Sequence, residues 1–239
     1  MLSKRVLITG GGTGIGYGLA RTLAELEYKV VIAGRRQEVL QKAANALAVD
    51  WLTFDVAQEN PALIFAAYPD ISIIIHNAGF YAHLPLGAWS ADAWDQFFKV
   101  HVTGPALLTQ EFAKRNPIDG SVIFINSTLA LRQKHGSTLY SVSKAAQLSL
   151  AASLAQQLAP QRIRVNSILP GVIPTGMTTK ELGLDNEEQA QTYRQLHPLG
   201  RMGTVEDIAK TVVFILQSEW ITGAQFVVDG GLLIRMDEK

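Results

Sequence analysis

The chain has 239 residues and a mass of 26.0 kDa, which suits one large domain over 1–239 better than two. Hydrophobic residues make up 48% and charged residues 18%, a composition that buries a core and excludes a disordered chain. Lys+Arg and Asp+Glu both number 21, and this formal balance of zero argues against a general nucleic-acid or anionic-membrane binder. The absence of cysteine excludes disulfides, thiolate catalysis and cysteine-based zinc sites, and no metal site is expected. The apolar run near the N-terminus is too short for a signal peptide and no run reaches the length of a membrane span. A cytoplasmic protein is the resulting expectation.

Taken in order, Lys4 to Thr9 is a short apolar run that reads as a buried parallel strand. It runs into Gly10-Gly-Gly-Thr13-Gly14-Ile15-Gly16 and then a helical stretch. A strand, a glycine turn and a helix N-terminus together form an anion site, because backbone N–H groups and the helix dipole face the ligand. The spacing is Gly-x-x-x-Gly-x-Gly, and a flexible surface turn is the plainer alternative. Tyr28 to Gly34 is a second strand. Where an NAD-preferring fold usually carries an acidic residue, this chain has Arg35 and Arg36. With no carboxylate to repel a 2′-phosphate and a guanidinium to bind it, NADP(H) is favoured over NAD(H).

Gln37 to Ala48 reads as a helix and Trp51 to Phe54 as a short strand. Asp55 and Val56 follow it, where they either meet an adenine edge or cap the next helix. Pro61 to Tyr68 is expected to be helical, and Ile71 to Ile75 is the clearest buried strand. It leads into His76-Asn77-Ala78-Gly79, a small turn-forming run suited to close cofactor approach. The apolar loop Phe80 to Trp89 reads as pocket lining or core. Ala91 to Arg115 reads as one long helix bent at Gly104-Pro105, and it contains His101. Gly120 to Ser127 is a strand ending at the serine. Thr138 to Leu158 is apolar nearly all round, which predicts burial on every side and packing against a second subunit. Arg162 to Leu169 is a strand followed by Pro170-Gly171-Val172-Ile173-Pro174-Thr175. Residues 176–200 are more polar and read as either a flap over a substrate or a surface excursion. Thr204 to Leu216 is an amphipathic helix with Glu206 and Asp207 in its first turn. Ala224 to Val228 is the last strand.

This alternation implies right-handed βαβ crossovers and an α/β, Rossmann-type, doubly wound parallel sheet of about seven strands. Ser127 lies at a strand's carboxyl end, where such sheets bind ligands. Tyr140 and Lys144 are four residues apart and share one helix face. A phenol beside an ammonium ion is a proton donor of lowered pKa, suited to reducing a carbonyl or oxidising an alcohol. Phe80, Tyr81, Leu84, Leu129 and Val172 suggest an apolar substrate pocket.

With these motifs in place the sequence resembles the short-chain dehydrogenase/reductase superfamily, in its compact single-domain branch. It looks most like the β-ketoacyl-acyl-carrier-protein reductases. The resemblance spans nearly the whole chain. It rests on Thr9-Gly10-x-x-x-Gly14-Ile15-Gly16, Asp55-Val56, Asn77-Ala78-Gly79, Ser127, Tyr140-x-x-x-Lys144, Pro170-Gly171, Thr175 and Val228-Asp229-Gly230-Gly231. It implies a nicotinamide cofactor, a Ser127-Tyr140-Lys144 active centre and a homo-oligomer, a tetramer or a dimer. It further implies that Tyr140 protonates a substrate carbonyl, that Ser127 fixes the oxygen, and that Lys144 bonds the nicotinamide ribose and lowers the tyrosine pKa. Thr175 and the Ile173 backbone would hold the carboxamide. The family usually has asparagine at position 101, where it supports a water chain reaching the lysine. His101 is read as a partial substitute, or as packing. Lys134 and Lys180 read either as docking points for a carrier protein or as solvated surface. Two rival functions are a nucleotide-sensing regulatory protein with the same fold and an epimerase or dehydratase holding NAD.

Overall fold

The computed structural model describes residues 4–235. Among these, seven strands form one parallel sheet in the order β3-β2-β1-β4-β5-β6-β7. The strands are β1 (Arg5–Thr9), β2 (Lys29–Gly34), β3 (Asp50–Thr53), β4 (Ile71–His76), β5 (Ser121–Ile125), β6 (Arg164–Pro170) and β7 (Gln225–Val228). The central strands β1, β2, β4 and β5 are short runs rich in β-branched residues, the composition expected where both faces of a sheet are covered, while the edge strands β3 and β7 are partly exposed. Side chains alternate between the faces. Val6 and Ile8 point into one core with Leu19, Leu23, Ile208 and Val212, while Leu7 points into the other with Phe65, Leu108 and Phe112.

Helices α1 (Gly14–Glu25), α2 (Gln37–Leu47) and α9 (Val205–Gln217) supply the first layer. Helices α3 (Ala62–Ala67), α5 (Gly104–Lys114) and α6 (Thr138–Leu158) supply the second. Helix α4 (Ala91–Phe98) runs into α5 through a π-helical turn, Lys99–Thr103. The chain therefore stays helical from 91 to 114, and the expected bend is a π turn just before Pro105. The polar stretch 176–200 holds two helices, α7 (Gly176–Leu182) and α8 (Glu187–Leu196). They are separated at Gly183, whose φ of 65° ends α7 in the left-handed region.

Within the single chain helix α6 buries one stripe and leaves another open. Its inner stripe, including Leu139, Lys144, Gln147 and Leu148, is buried, whereas Val142, Ser149, Ala152 and Gln156 are exposed. The open stripe is where the expected packing against a second subunit would fall. Strand order reverses between β1 and β4, so the turns after these strands diverge and leave a crevice at their carboxyl ends. No helix among the described residues is long and apolar enough to cross a membrane.

Candidate active site

The crevice opens into a cavity of about 1150 Å³. One arm runs over the glycine turn after β1. Gly14 has a φ of +57°, and a Cβ on Gly16 would lie 2.4 Å from the Gly10 carbonyl oxygen, so a side chain at either position would spoil the turn. The N-cap of α1, Thr13, makes no side-chain capping bond. The first-turn N–H groups are thereby left for an anionic ligand. Beside this turn Asn77 donates through Nδ2 to the carbonyls of Thr9 (3.0 Å) and Gly10 (3.1 Å). The Thr9 hydroxyl accepts in return from the backbone N–H of Asn77 and of Ala78, both at 3.1 Å. Asn77 is thus the clamp that holds the turn after β1 against the end of β4. The glycine cradle, the uncapped helix start and the cavity above them fit a dinucleotide.

Of the expected cofactor residues, Gly10, Thr13, Gly14, Ile15, Arg35, Arg36, Asp55, Val56, Asn77, Ala78 and Gly79 line the cavity. So do Tyr140, Lys144, Pro170, Gly171, Ile173 and Thr175. Gly16 is not in the wall; it is buried beneath the turn, where it lets the helix approach. The Asp55 carboxylate bonds the Ala57 N–H at 2.9 Å and the Gln58 amide at 3.2 Å, so it organises the turn after β3 as well as facing the cavity. The Thr175 hydroxyl caps α7 in a reciprocal pair with Thr178. The Ile173 carbonyl accepts from the Thr178 hydroxyl at 2.6 Å.

The second arm carries Ser127, Tyr140 and Lys144. The Ser127 hydroxyl accepts from the Leu129 N–H at 3.1 Å and starts the turn after β5. The Tyr140 ring meets the edge of Tyr81 at 5.2 Å and of His101 at 5.5 Å between centroids. Lys144 is 4% exposed. Its Nζ donates to the Ile125 carbonyl and to Gln147 Oε1, both at 3.1 Å, and lies 5.8 Å from the Tyr140 ring centroid.

The electrostatics correct one expectation. Burial pushes the Tyr140 phenol up to about 12; a hydrogen bond from Ser127 opposes this, and the Tyr81 phenol adds to the rise. Burial pulls the Lys144 amine down to about 7. Burial of the phenol therefore outweighs any lowering by Lys144. Its amine faces neutral acceptors, and burial has weakened the positive charge that was to act on the phenol.

The geometry at His101 matches the packing alternative. Its side chain is fully buried and lies outside the cavity wall. Ser143 Oγ donates to the Tyr140 carbonyl at 2.8 Å, so it accepts from His101 Nδ1–H, also at 2.8 Å. His101 Nε2 accepts from the Phe80 N–H at 3.2 Å. Both ring nitrogens are spent, and the ring is neutral. Burial first, and the Lys144 charge second, hold its pKa well below the usual histidine range. The side chain ties the Phe80 loop to α6, the packing role that was one of its two expected readings.

Phe80, Tyr81, Leu129 and Val172 line the substrate arm, whereas Leu84 does not. Met177, Leu182, Tyr193 and Leu196 bring α7 and α8 over it, and Leu232 and Leu233 close the far side. Lys134 is no idle surface charge, since its Nζ donates to the Tyr193 hydroxyl at 2.7 Å. Lys180 is exposed and lies outside the wall.

Sequence reasoning missed three groups. Asn126, just before Ser127, donates to the Lys144 carbonyl at 3.0 Å and to Gln147 Oε1 at 3.1 Å. Gln147 is the residue one turn beyond the lysine. His197 is 2% exposed; it donates through Nδ1 to the Tyr193 carbonyl at 2.7 Å and accepts from the Val172 N–H at 3.3 Å. It pins the end of α8 to the loop after β6. A polar residue at helical spacing from Lys144 was the available signal for Gln147, and nothing local marked His197.

A parallel sheet of this order, with a glycine cradle and a serine, tyrosine and lysine in one crevice, defines a nucleotide-dependent oxidoreductase fold. A family model described as Enoyl-(Acyl carrier protein) reductase matches residues 10–233. The chain belongs to the short-chain dehydrogenase/reductase family of oxidoreductases. It is 32% identical to carbonyl reductase family member 4 of Xenopus tropicalis over 244 residues, covering 98% of this chain and 100% of the relative. It is also 32% identical to a 3-oxoacyl-acyl-carrier-protein reductase of Aquifex aeolicus, covering 96% and 97%. A solved structure described as 4-hydroxyisoleucine dehydrogenase complexed with NADH superposes with a TM-score of 0.90 at 26% identity, covering 98% of this chain and 100% of that one.

Proposed function

We propose that this oxidoreductase uses NADP(H) to reduce a ketone or 3-oxoacyl carbonyl to a secondary alcohol, with Tyr140 as the proton donor. The carrying observation is that Ser127, Tyr140 and Lys144 line the same cavity as the glycine cradle. The nicotinamide, when bound, supplies the hydride. The chain supplies placement and the proton. Tyr140, raised to about 12, keeps its proton throughout the neutral range and releases it only to a stronger base, such as the alkoxide forming at the carbonyl carbon. Ser127 orients that oxygen by a hydrogen bond. Lys144 would hold the ribose, and Arg35 and Arg36 would face a 2′-phosphate from their exposed position at the end of β2. Helices α7 and α8 act as the flap over the substrate. The carbonyl reductase and 3-oxoacyl reductase relatives support the substrate class. The intact triad within the cavity disfavours a purely regulatory nucleotide binder. Exposed Leu107 on α5 and Val142 on α6 support a homo-oligomer.

The test is a panel of ketones and 3-oxoacyl thioesters followed by NADPH absorbance, with Tyr140→Phe beside the wild type. The variant is expected to lose turnover and to keep NADPH binding. Undiminished turnover in Tyr140→Phe would sink the reading.

A further inference from the structure

Gln147 is 1% exposed in the interior of α6, one turn after Lys144 and on the same face. A buried amide at a helix position that packing would fill with an apolar residue needs its donors and acceptor satisfied. Here they are. Oε1 accepts from Lys144 Nζ and from Asn126 Nδ2, each at 3.1 Å, and Nε2 donates to the His101 carbonyl at 2.6 Å. That carbonyl is available for a reason written in the sequence. In an α-helix it would accept from residue 105, which is proline and has no N–H. The surrounding chain is instead wound as a π turn, closed by the Gly104 N–H on the Lys99 carbonyl. Asn126 extends the network, since its Oδ1 accepts from the Ser127 N–H at 2.7 Å. Three groups therefore meet on one side chain, the π turn, Asn126 at the end of β5 and the lysine, and Asn126 carries the contact on to the Ser127 backbone.

We infer that Gln147 is a positioning residue that fixes the Lys144 amine against the residue-101 carbonyl and sets the pH at which that amine carries charge. The inference rests on the function proposed above. It supplies by a side chain the link from residue 101 to the lysine that the family resemblance assigns to water. The acceptors offered to Lys144, Gln147 Oε1 and the Ile125 carbonyl, are both neutral. The titratable groups around the amine are Tyr140 on its own helix, His76 at the end of β4 and His101 in the π turn. Both histidines are kept uncharged by burial, with the Lys144 charge acting in the same direction. Among the described residues no carboxylate enters this set, so the identity of residue 147 decides whether the amine gains a counter-charge.

The experiment follows the Lys144 amine by NMR in cofactor-free protein selectively labelled at the lysine ε-carbon, for the wild type, Gln147→Glu and Gln147→Met. In Gln147→Glu the amine midpoint is expected to rise by about one to three pH units, the effect of an opposite charge in contact. In Gln147→Met, which keeps length and loses the acceptor, the midpoint falls. The kcat/KM pH profile moves in the same direction as the midpoint in each variant, and kcat of Gln147→Met drops about tenfold or more. Either folded variant decides the matter alone, and a midpoint left at the wild-type value overturns the inference. If the wild type reduces no carbonyl in any assay, the functional reading fails, while the titration still tests Gln147.

Discussion

Arg35 and Arg36 sit at the rim of the cavity with their guanidinium groups exposed. A charge-assisted hydrogen bond to a phosphate is worth about 1.5–3 kcal/mol. Arg35→Ala should therefore weaken NADPH binding roughly ten- to hundredfold and leave NADH within about twofold. Titration calorimetry with both dinucleotides checks this, and equal losses would remove the basis for preferring NADP(H). At the other end of the site, His76 is fully enclosed, and burial, aided by the Lys144 charge, lowers its pKa to about 3. Its Nε2 shares a hydrogen bond with the Thr109 hydroxyl at 2.8 Å. Above an unfolded-state pKa of about 6.5 this group costs no stability. As pH falls below that value the unfolded chain takes a proton that the folded chain refuses. Stability then declines by about 1.4 kcal/mol per pH unit for this group, down toward the folded value. His76→Asn, which can still reach Thr109, is expected to flatten the denaturant-midpoint profile between about pH 6 and about pH 4.5 by that slope. These single residues were legible as candidates because glycine, arginine, serine and tyrosine in such places have few other uses. The burial that sets their charges was not legible, which is why the Tyr140 phenol is pushed up where a lowered value was expected.

The helical run from α4 through α5 shows what a periodic pattern conceals. The chain stays helical on both sides of the π turn, so the run reads as a single bent α-helix. Its position is fixed from outside. A Cβ on Gly104 would come 2.1 Å from the Val56 carbonyl oxygen, so the loop after β3 rests directly on this glycine. Gly104→Ala must push that loop away, at a cost of about 1–3 kcal/mol. Because Val56 lines the cavity, dinucleotide affinity should fall along with the melting temperature. Thermal melts with and without NADPH check both effects. A variant that melts and binds like the wild type would show that the loop yields freely. Helix α6 was located correctly from its sequence, whereas which stripe faces the sheet was not legible. Alanine and serine suit a solvent-facing stripe as well as a tight interior one.

Across the whole molecule the strand and helix alternation carried the architecture, since a parallel sheet has few ways to connect. The crevice followed from the topology. The contacts that close it did not, because they join segments far apart in the chain. Lys134 reaches Tyr193, and His197 reaches Val172. No local pattern reports such pairs.

The cavity draws its walls from two different stretches of chain. Everything assigned to the dinucleotide and the proton comes from residues up to and including Thr175, whereas the room beyond Tyr140 is roofed by Met177, Leu182, Tyr193 and Leu196 and closed by Leu232 and Leu233. The two can therefore change independently. Replacing side chains on the roof would retune which molecules are admitted and leave the reaction itself untouched, so one chemical engine could serve many clients.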